Sequence, residues 1–180
     1  MAWGRSRRSP LGQGGGKMFK TGQKVVHHSY GAGVITAIEE QMLDSQTRRY
    51  YVIALTDAGK DSQLMVPEDR VSKRLRPLAS GQELRRAMKV LSSKPRELPT
   101  DVKERTALIT ERLSSRETLR TAEVIRDLAW RHRQKRASRS DDKLLKRALE
   151  MLAREVALQQ GIGMEEAAAQ LQAKIAVQET

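Results

Sequence analysis

The chain has 180 residues, room for one medium domain or two small ones. Its 34 Lys and Arg outnumber 22 Asp and Glu, and a formal net charge of +12 favours a polyanionic partner, nucleic acid before an anionic membrane. No cysteine is present, which excludes disulfides and thiolate metal sites and is compatible with a reducing cytoplasm, and no apolar run approaches the ~20 residues that cross a bilayer.

Residues 1–17 read as a flexible basic tail. Arg5, Arg7 and Arg8 are followed by Gly12, Gly14, Gly15 and Gly16 rather than an apolar core, so the segment is not a secretory signal. Trp3 is its one oddity, and the ordered pattern begins at Met18.

Residues 18–79 read as β. Apolar runs at Lys24–His28, Val34–Leu43, Arg49–Leu55, Leu64–Val66 and Val71–Leu75 predict five short strands. Turn-like Ser29-Tyr30-Gly31-Ala32-Gly33, Asp44-Ser45-Gln46 and Thr56-Asp57-Ala58-Gly59 separate them. That pattern predicts a small barrel or strongly bent sheet, with a thin core and no helix to cover its rims. An uncovered rim offers unpaired N–H and C=O groups to another protein's strand. Glu39-Glu40-Gln41-Met42-Leu43 is the best candidate rim, with Met65 beside it; a blunted, charged rim that pairs with nothing is the alternative.

The period changes near Arg76-Pro77-Leu78-Ala79-Ser80, and residues 80–180 read as an all-α unit of about five helices. Ser80 with Glu83 has capping-box spacing for a helix over 81–92. Lys94-Pro95 breaks it. A second helix begins at Thr100 and carries Val102, Leu108, Ile109 and Leu113. A third follows Ser115 and runs to about Arg136, and a fourth begins at Asp141. Gly161-Ile162-Gly163 stops that one, and a last helix spans about 164–177. The fold class expected is α+β, in two domains.

The third helix is the most informative. Thr121, Val124, Ile125 and Leu128 fall in one sector, and Trp130 projects roughly 170° from its centre at about 100° per residue. Arg126 and Arg133 lie four before and three after it. Arg131, Lys135, Arg136, Arg139, Lys143 and Arg147 add positive charge across the next turn and helix, with His132 and Lys146 among them. Guanidinium and ammonium groups neutralise phosphates, and an indole stacks on bases or wedges between them. The alternative for Trp130 is packing beneath the following helix. Adjacent His27 and His28 point to opposite faces of a strand and cannot share a metal. No nucleophile–base set, phosphate-cradling loop or telling carboxylate pair stands out, so neither catalysis nor a cofactor is expected.

Met18-Phe19-Lys20-Thr21-Gly22-Gln23-Lys24-Val25-Val26, then Tyr30-Gly31-Ala32-Gly33-Val34-Ile35, resemble the opening strand and glycine turn of the CarD/CdnL family of bacterial transcription regulators. Val66-Pro67 and Arg74-Leu75-Arg76-Pro77-Leu78 resemble the close of its polymerase-interacting domain. Ala122-Glu123-Val124-Ile125-Arg126-Asp127-Leu128 resembles its helical signature, with Leu144, Leu145 and Arg147-Ala148-Leu149 in step. The resemblance spans about residues 18–160. It implies a Tudor-like domain that binds the RNA polymerase β subunit and a helical domain on promoter DNA. It further implies a Trp wedged into the minor groove at the upstream edge of the bubble, stabilising the open complex. By the same resemblance the protein is expected to be cytoplasmic and monomeric, without membrane or small-molecule partners. One familiar version of the signature carries Trp directly after Arg-Asp-Leu; here Ala129 stands there and Trp130 follows, turned by about 100°. His27-His28 also replace an expected Tyr-Pro, and the family's polymerase-contact arginines are not evident around Gln41 and Met65. The alternatives are a general basic nucleic-acid-binding protein without polymerase contact, and an adaptor whose helical unit binds acidic protein.

Overall fold

The computed structural model describes residues 19–43, 46–56 and 62–177. The expectations for the tail and for parts of two turns (Asp44-Ser45 and Asp57-Ala58-Gly59) fall outside those residues.

Five strands form one antiparallel sheet: β1 (Lys24–His27), β2 (Gly31–Leu43), β3 (Gln46–Leu55), β4 (Gln63–Pro67) and β5 (Leu75–Pro77). Their spatial order is β4-β3-β2-β1-β5. A register shift between Ile35 and Ala37 bends β2 against β3. Phe19, Val25, Ile35, Tyr51, Ile53, Val66, Val71 and Leu75 form the sheet's own core. Phe19 meets Tyr51 edge-on, with ring centroids 6.5 Å apart.

One expected strand is a helix. Val71 to Arg74 belongs to α1 (Glu68–Arg74), and the fifth strand is only Leu75–Pro77. Pro67 takes the N-cap position, Glu68 and Asp69 sit in the first turn, and Lys73 and Arg74 sit in the last. That charge order complements the helix dipole, and one buried residue, Val71, suffices to seat so short a helix. The sheet therefore does carry a helix: α1 joins β4 to β5, the two outer strands, and touches both.

Five helices follow: α2 (Gly81–Leu91), α3 (Val102–Ser114), α4 (Thr118–Arg133), α5 (Arg139–Gln160) and α6 (Met164–Ala176). Ser80 and Glu83 form the expected capping box: the Glu83 carboxylate accepts the Ser80 N–H at 2.7 Å and the Ser80 hydroxyl accepts the Glu83 N–H at 3.2 Å. A second capping box joins Ser138 and Asp141 at the head of α5. Gly161 ends α5 in the left-handed conformation, φ 71°, that glycine adopts without a Cβ penalty. α4 packs against α2, α3 and α5, and buries Ala122, Val124, Ile125 and Leu128 in a core shared with Leu84, Leu91, Ile109, Leu152, Val156 and Leu171.

The sheet and the helices are joined by polar contacts. Arg76 of β5 pairs with the carboxylate of Glu155 on α5, which is 1% exposed. The other Glu155 oxygen accepts the Thr118 hydroxyl at 3.1 Å. Lys24 Nζ donates to the Leu158 carbonyl at 2.8 Å. Gly31 has φ +83°, and a Cβ there would lie 2.7 Å from Cδ of Arg154, so only glycine seats this joint.

Candidate nucleic-acid and protein interfaces

Trp130 sits near the end of α4, half-buried rather than projecting freely outward. It lines a cavity of about 270 Å³ against the 94–100 segment, whose Lys94, Pro95, Arg96, Glu97, Leu98 and Thr100 form the opposite wall. Arg131, Gln134 and Arg136 complete the groove. The Arg133 guanidinium carbon lies 5.2 Å from the indole centroid, a cation–π contact on the ring. The indole is thus neither sealed in the helical core nor fully presented to water.

The nine expected DNA-contact residues divide. Arg133, Lys135, Arg136, Arg139, Lys143 and Arg147 are exposed along the end of α4, the turn and the start of α5. Lys135 adopts φ 57°, which turns the chain between the two helices. Arg131 is half-buried, its Nε 3.4 Å from Asp141 Oδ2. Arg126 departs from the expectation: it is 4% exposed, so it does not stand beside Trp130 on an outward face. Its Nε donates to Asp127 Oδ1 at 2.7 Å and its Nη1 to the Ser93 hydroxyl at 3.3 Å. The physical reason is that neighbours surround α4 on several sides, so a position off its apolar stripe is still enclosed.

Asp127 is the hub of this region. Its Oδ1 also accepts the Arg96 backbone N–H at 2.9 Å, and its Oδ2 lies 3.5 Å from Arg112 Nη1. One buried carboxylate therefore holds the 94–100 wall against α4. Asp141 does the same for the basic turn. Its two oxygens accept Arg105 Nε at 2.9 Å and Nη2 at 3.0 Å, with both side chains 1% exposed. Burial opposes ionisation of Asp141, but the hydrogen bonds from Arg105 and from the Ser138 N–H and hydroxyl outweigh it and hold its pKa below the usual carboxylate value.

Sequence reasoning missed Lys94 and Arg96, which come to the groove from a segment 34 to 36 residues before Trp130 in the chain. Val102, the first residue of α3, is 44% exposed and stands two positions after groove-lining Thr100 in the chain.

The other surface lies on the sheet. β1 pairs with β2 only over Gly31–Val34, whereas β3 accompanies β2 to Leu43. Among the described residues the outer side of Glu39-Glu40-Gln41-Met42-Leu43 thus has no strand neighbour. All five are exposed, Met42 at 80%. Ile38, Leu43 and Met65 are exposed apolar groups on the same hairpin and on outer strand β4. Glu40 is bound by Arg49 at 3.2 Å, and Arg49 reaches Glu68 at 3.4 Å. Among the described residues no group of three or more His, Asp and Glu is placed to hold a metal, and no helix is long and apolar enough to cross a membrane.

The comparisons with known proteins divide the chain at the same change of structure. Residues 19–79 match the family model described as CarD-like/TRCF RID domain, and residues 86–172 match CarD, C-terminal domain. The chain is 30% identical over 146 residues to a putative transcription factor, YdeB, of Bacillus subtilis strain 168, an overlap of 81% of this chain and 94% of that protein.

Proposed function

The chain belongs to the CarD family of transcription regulators, and from that premise we propose that it holds RNA polymerase by the open rim of its Tudor-like sheet and promoter DNA by the groove at Trp130. The observation that carries the DNA half is the groove itself: an indole flanked by Lys94, Arg96, Arg131 and Arg136, with exposed cations continuing along α5. Those cations supply sequence-independent attraction through released counterions. Trp130 and Val102 supply the apolar surface that can pack on an unstacked base step. Continuous closed duplex, stacked on both faces of every base pair, offers no such step. A bubble edge does, so binding favours the melted state only to the extent of that difference.

The polymerase half is supported by the match to the RID domain and by the unpaired outer side of β2 with exposed Met42 and Leu43. A partner strand laid along that rim gains backbone hydrogen bonds from β2 and apolar contact from Met42. The β subunit is the partner proposed, with one copy of this chain per polymerase, in the cytoplasm. Together the two contacts oppose closure of the bubble. Whether that activates a promoter or slows escape from it depends on which step limits there.

Co-purification with polymerase, followed by binding to forked and fully paired promoter DNA, tests both halves. Retention of the β subunit and tighter binding to the fork are the expected results. DNA binding without polymerase retention fits a general basic nucleic-acid-binding protein instead.

A further inference from the structure

The two ends of the proposed grip lie in different units, and one face of the sheet joins them. Antiparallel partners point to the same face, so Arg76, Val26 and Ala32, paired across β5, β1 and β2, share a face with Lys24, two residues from Val26. Val26 and Ala32 are 7% and 1% exposed but stand apart from the sheet's own core, whose Val25, Ile35 and Leu75 occupy the opposite face. Arg76 and Lys24 reach α5 from the first face: Arg76 binds the Glu155 carboxylate and Lys24 Nζ donates to the Leu158 carbonyl. Gly31, at the start of β2, lies against Arg154. Arg154, Glu155 and Leu158 fall within about 100° around α5, so three adjacent strands meet one stripe of one helix.

Glu155 also reaches α4. Its other oxygen accepts the hydroxyl of Thr118, the first residue of that helix. Both helices run from this carboxylate to the DNA surface. Trp130 lies along α4 from Thr118, and Lys143 back along α5 from Glu155, each roughly 18 Å away at about 1.5 Å per residue. A swing of about 20° at the joint would carry Trp130 roughly 6 Å, more than a base-pair spacing of about 3.4 Å. Val26 and Ala32 do not select an angle by themselves, since apolar contact has no direction. The carboxylate does: at 1% exposure it must keep its donors, and the sheet has to sit at one angle for Arg76 and Thr118 to reach it together.

We propose that Glu155 is the positioning residue of the two-ended grip: it holds the sheet at one angle to α4 and α5, so that polymerase bound at the β2 rim dictates where Trp130 meets DNA. This role rests on the reading that the rim takes polymerase and the groove takes DNA. With the angle held, the second contact forms as an intramolecular event at high effective concentration. A loose joint lowers that concentration without weakening either contact alone.

The chain has no cysteine, so Lys73→Cys on α1 and Lys174→Cys on α6, both exposed positions, accept one spin label on either side of the joint. Electron–electron distance measurement on the full chain should give one narrow distribution. Glu155→Ala should broaden it, and Glu155→Gln should restore it, because the amide accepts from Arg76 and donates to Thr118. Arg76→Met with Glu155→Leu removes both charges and strands neither, so it folds even where Glu155→Ala does not, and it too should broaden the distribution.

Without labels, the two loosened variants should retain polymerase and bind fork DNA within about twofold of the parent, yet lose its several-fold lengthening of open-complex lifetime, which Glu155→Gln keeps. Three results overturn the proposal: a distribution as narrow as the parent's in both variants, a broadened one with the lifetime intact, or a lifetime lost only in step with the separate affinities. A parent chain that neither retains polymerase nor binds forks defeats the proposed function instead, and the distribution still decides whether Glu155 sets the angle.

Discussion

Arg105 and Asp141 meet as a two-point ion pair, Nε to Oδ1 at 2.9 Å and Nη2 to Oδ2 at 3.0 Å, with both side chains almost fully enclosed. Arg105 Nη1 also donates to the Pro99, Thr100 and Asp101 carbonyls. The pair therefore ties the end of the groove wall and the first turn of α3 to the head of α5. Removing one partner leaves a buried charge alone, which costs about 3–5 kcal/mol. Arg105→Met should lower stability by that order in urea unfolding. Arg105→Met combined with Asp141→Leu should cost less than the sum of the single changes, because the stranded charge is gone.

Acid sensitivity follows from His27. Its folded pKa of about 4 lies below the ordinary 6.5 of the unfolded chain, so the unfolded state binds more protons between those values. The stability contributed is complete above about pH 6.5 and falls as pH drops toward 4, by at most about 3 kcal/mol. His27→Gln should flatten the unfolding free energy across that window, measured by urea titration at successive pH values. Asp141 acts lower: its depressed pKa means that stability present above the usual carboxylate value is lost only as pH falls below it.

On the proposed reading, the apolar contribution to fork binding divides between Trp130 in the groove and exposed Val102, two positions after the groove's Thr100 in the chain. Trp130→Ala removes the indole, and Val102→Asp replaces an exposed apolar group with a charge. Each should weaken fork binding about tenfold, roughly 1.4 kcal/mol, while weakening duplex binding less. Arg96→Gln with Arg136→Gln should weaken both DNAs alike and reduce the salt slope by about 0.9 for each phosphate no longer neutralised. Anisotropy titrations at several salt concentrations separate the two effects.

Much of the architecture is legible in the chain because its signals are local. Ser80 with Glu83 and Gly161 mark helix ends within a turn of themselves, and Thr121, Val124, Ile125 and Leu128 are buried as their spacing predicts. The error at Val71–Leu75 arose because a seven-residue helix with one buried anchor shows no period to read. Pro67-Glu68-Asp69 was the available signal. At the candidate site the misreading was of charge. Arg126 reads as an outward cation in the sequence, yet it is buried against its neighbour Asp127 and against Ser93. The Ser93 contact and the Arg105–Asp141 pair depend on segments brought together only by folding, as do Lys94 and Arg96 opposite Trp130.

Met42 on the rim of β2 is 80% exposed and makes no contribution to either core, so Met42→Asp should change stability by less than about 0.5 kcal/mol. It should reduce polymerase retention about tenfold without affecting DNA binding by the isolated protein. Surface-immobilised polymerase with parent and variant in solution reads this directly.

The lifetime of polymerase–promoter open complexes, followed after challenge with excess competitor promoter, tests whether one chain joins machine and melted DNA. The parent protein should lengthen that lifetime several-fold. Met42→Asp and Trp130→Ala, each impaired at a different end, should both abolish the gain. An unchanged lifetime with the parent, or full extension by either variant, contradicts the account.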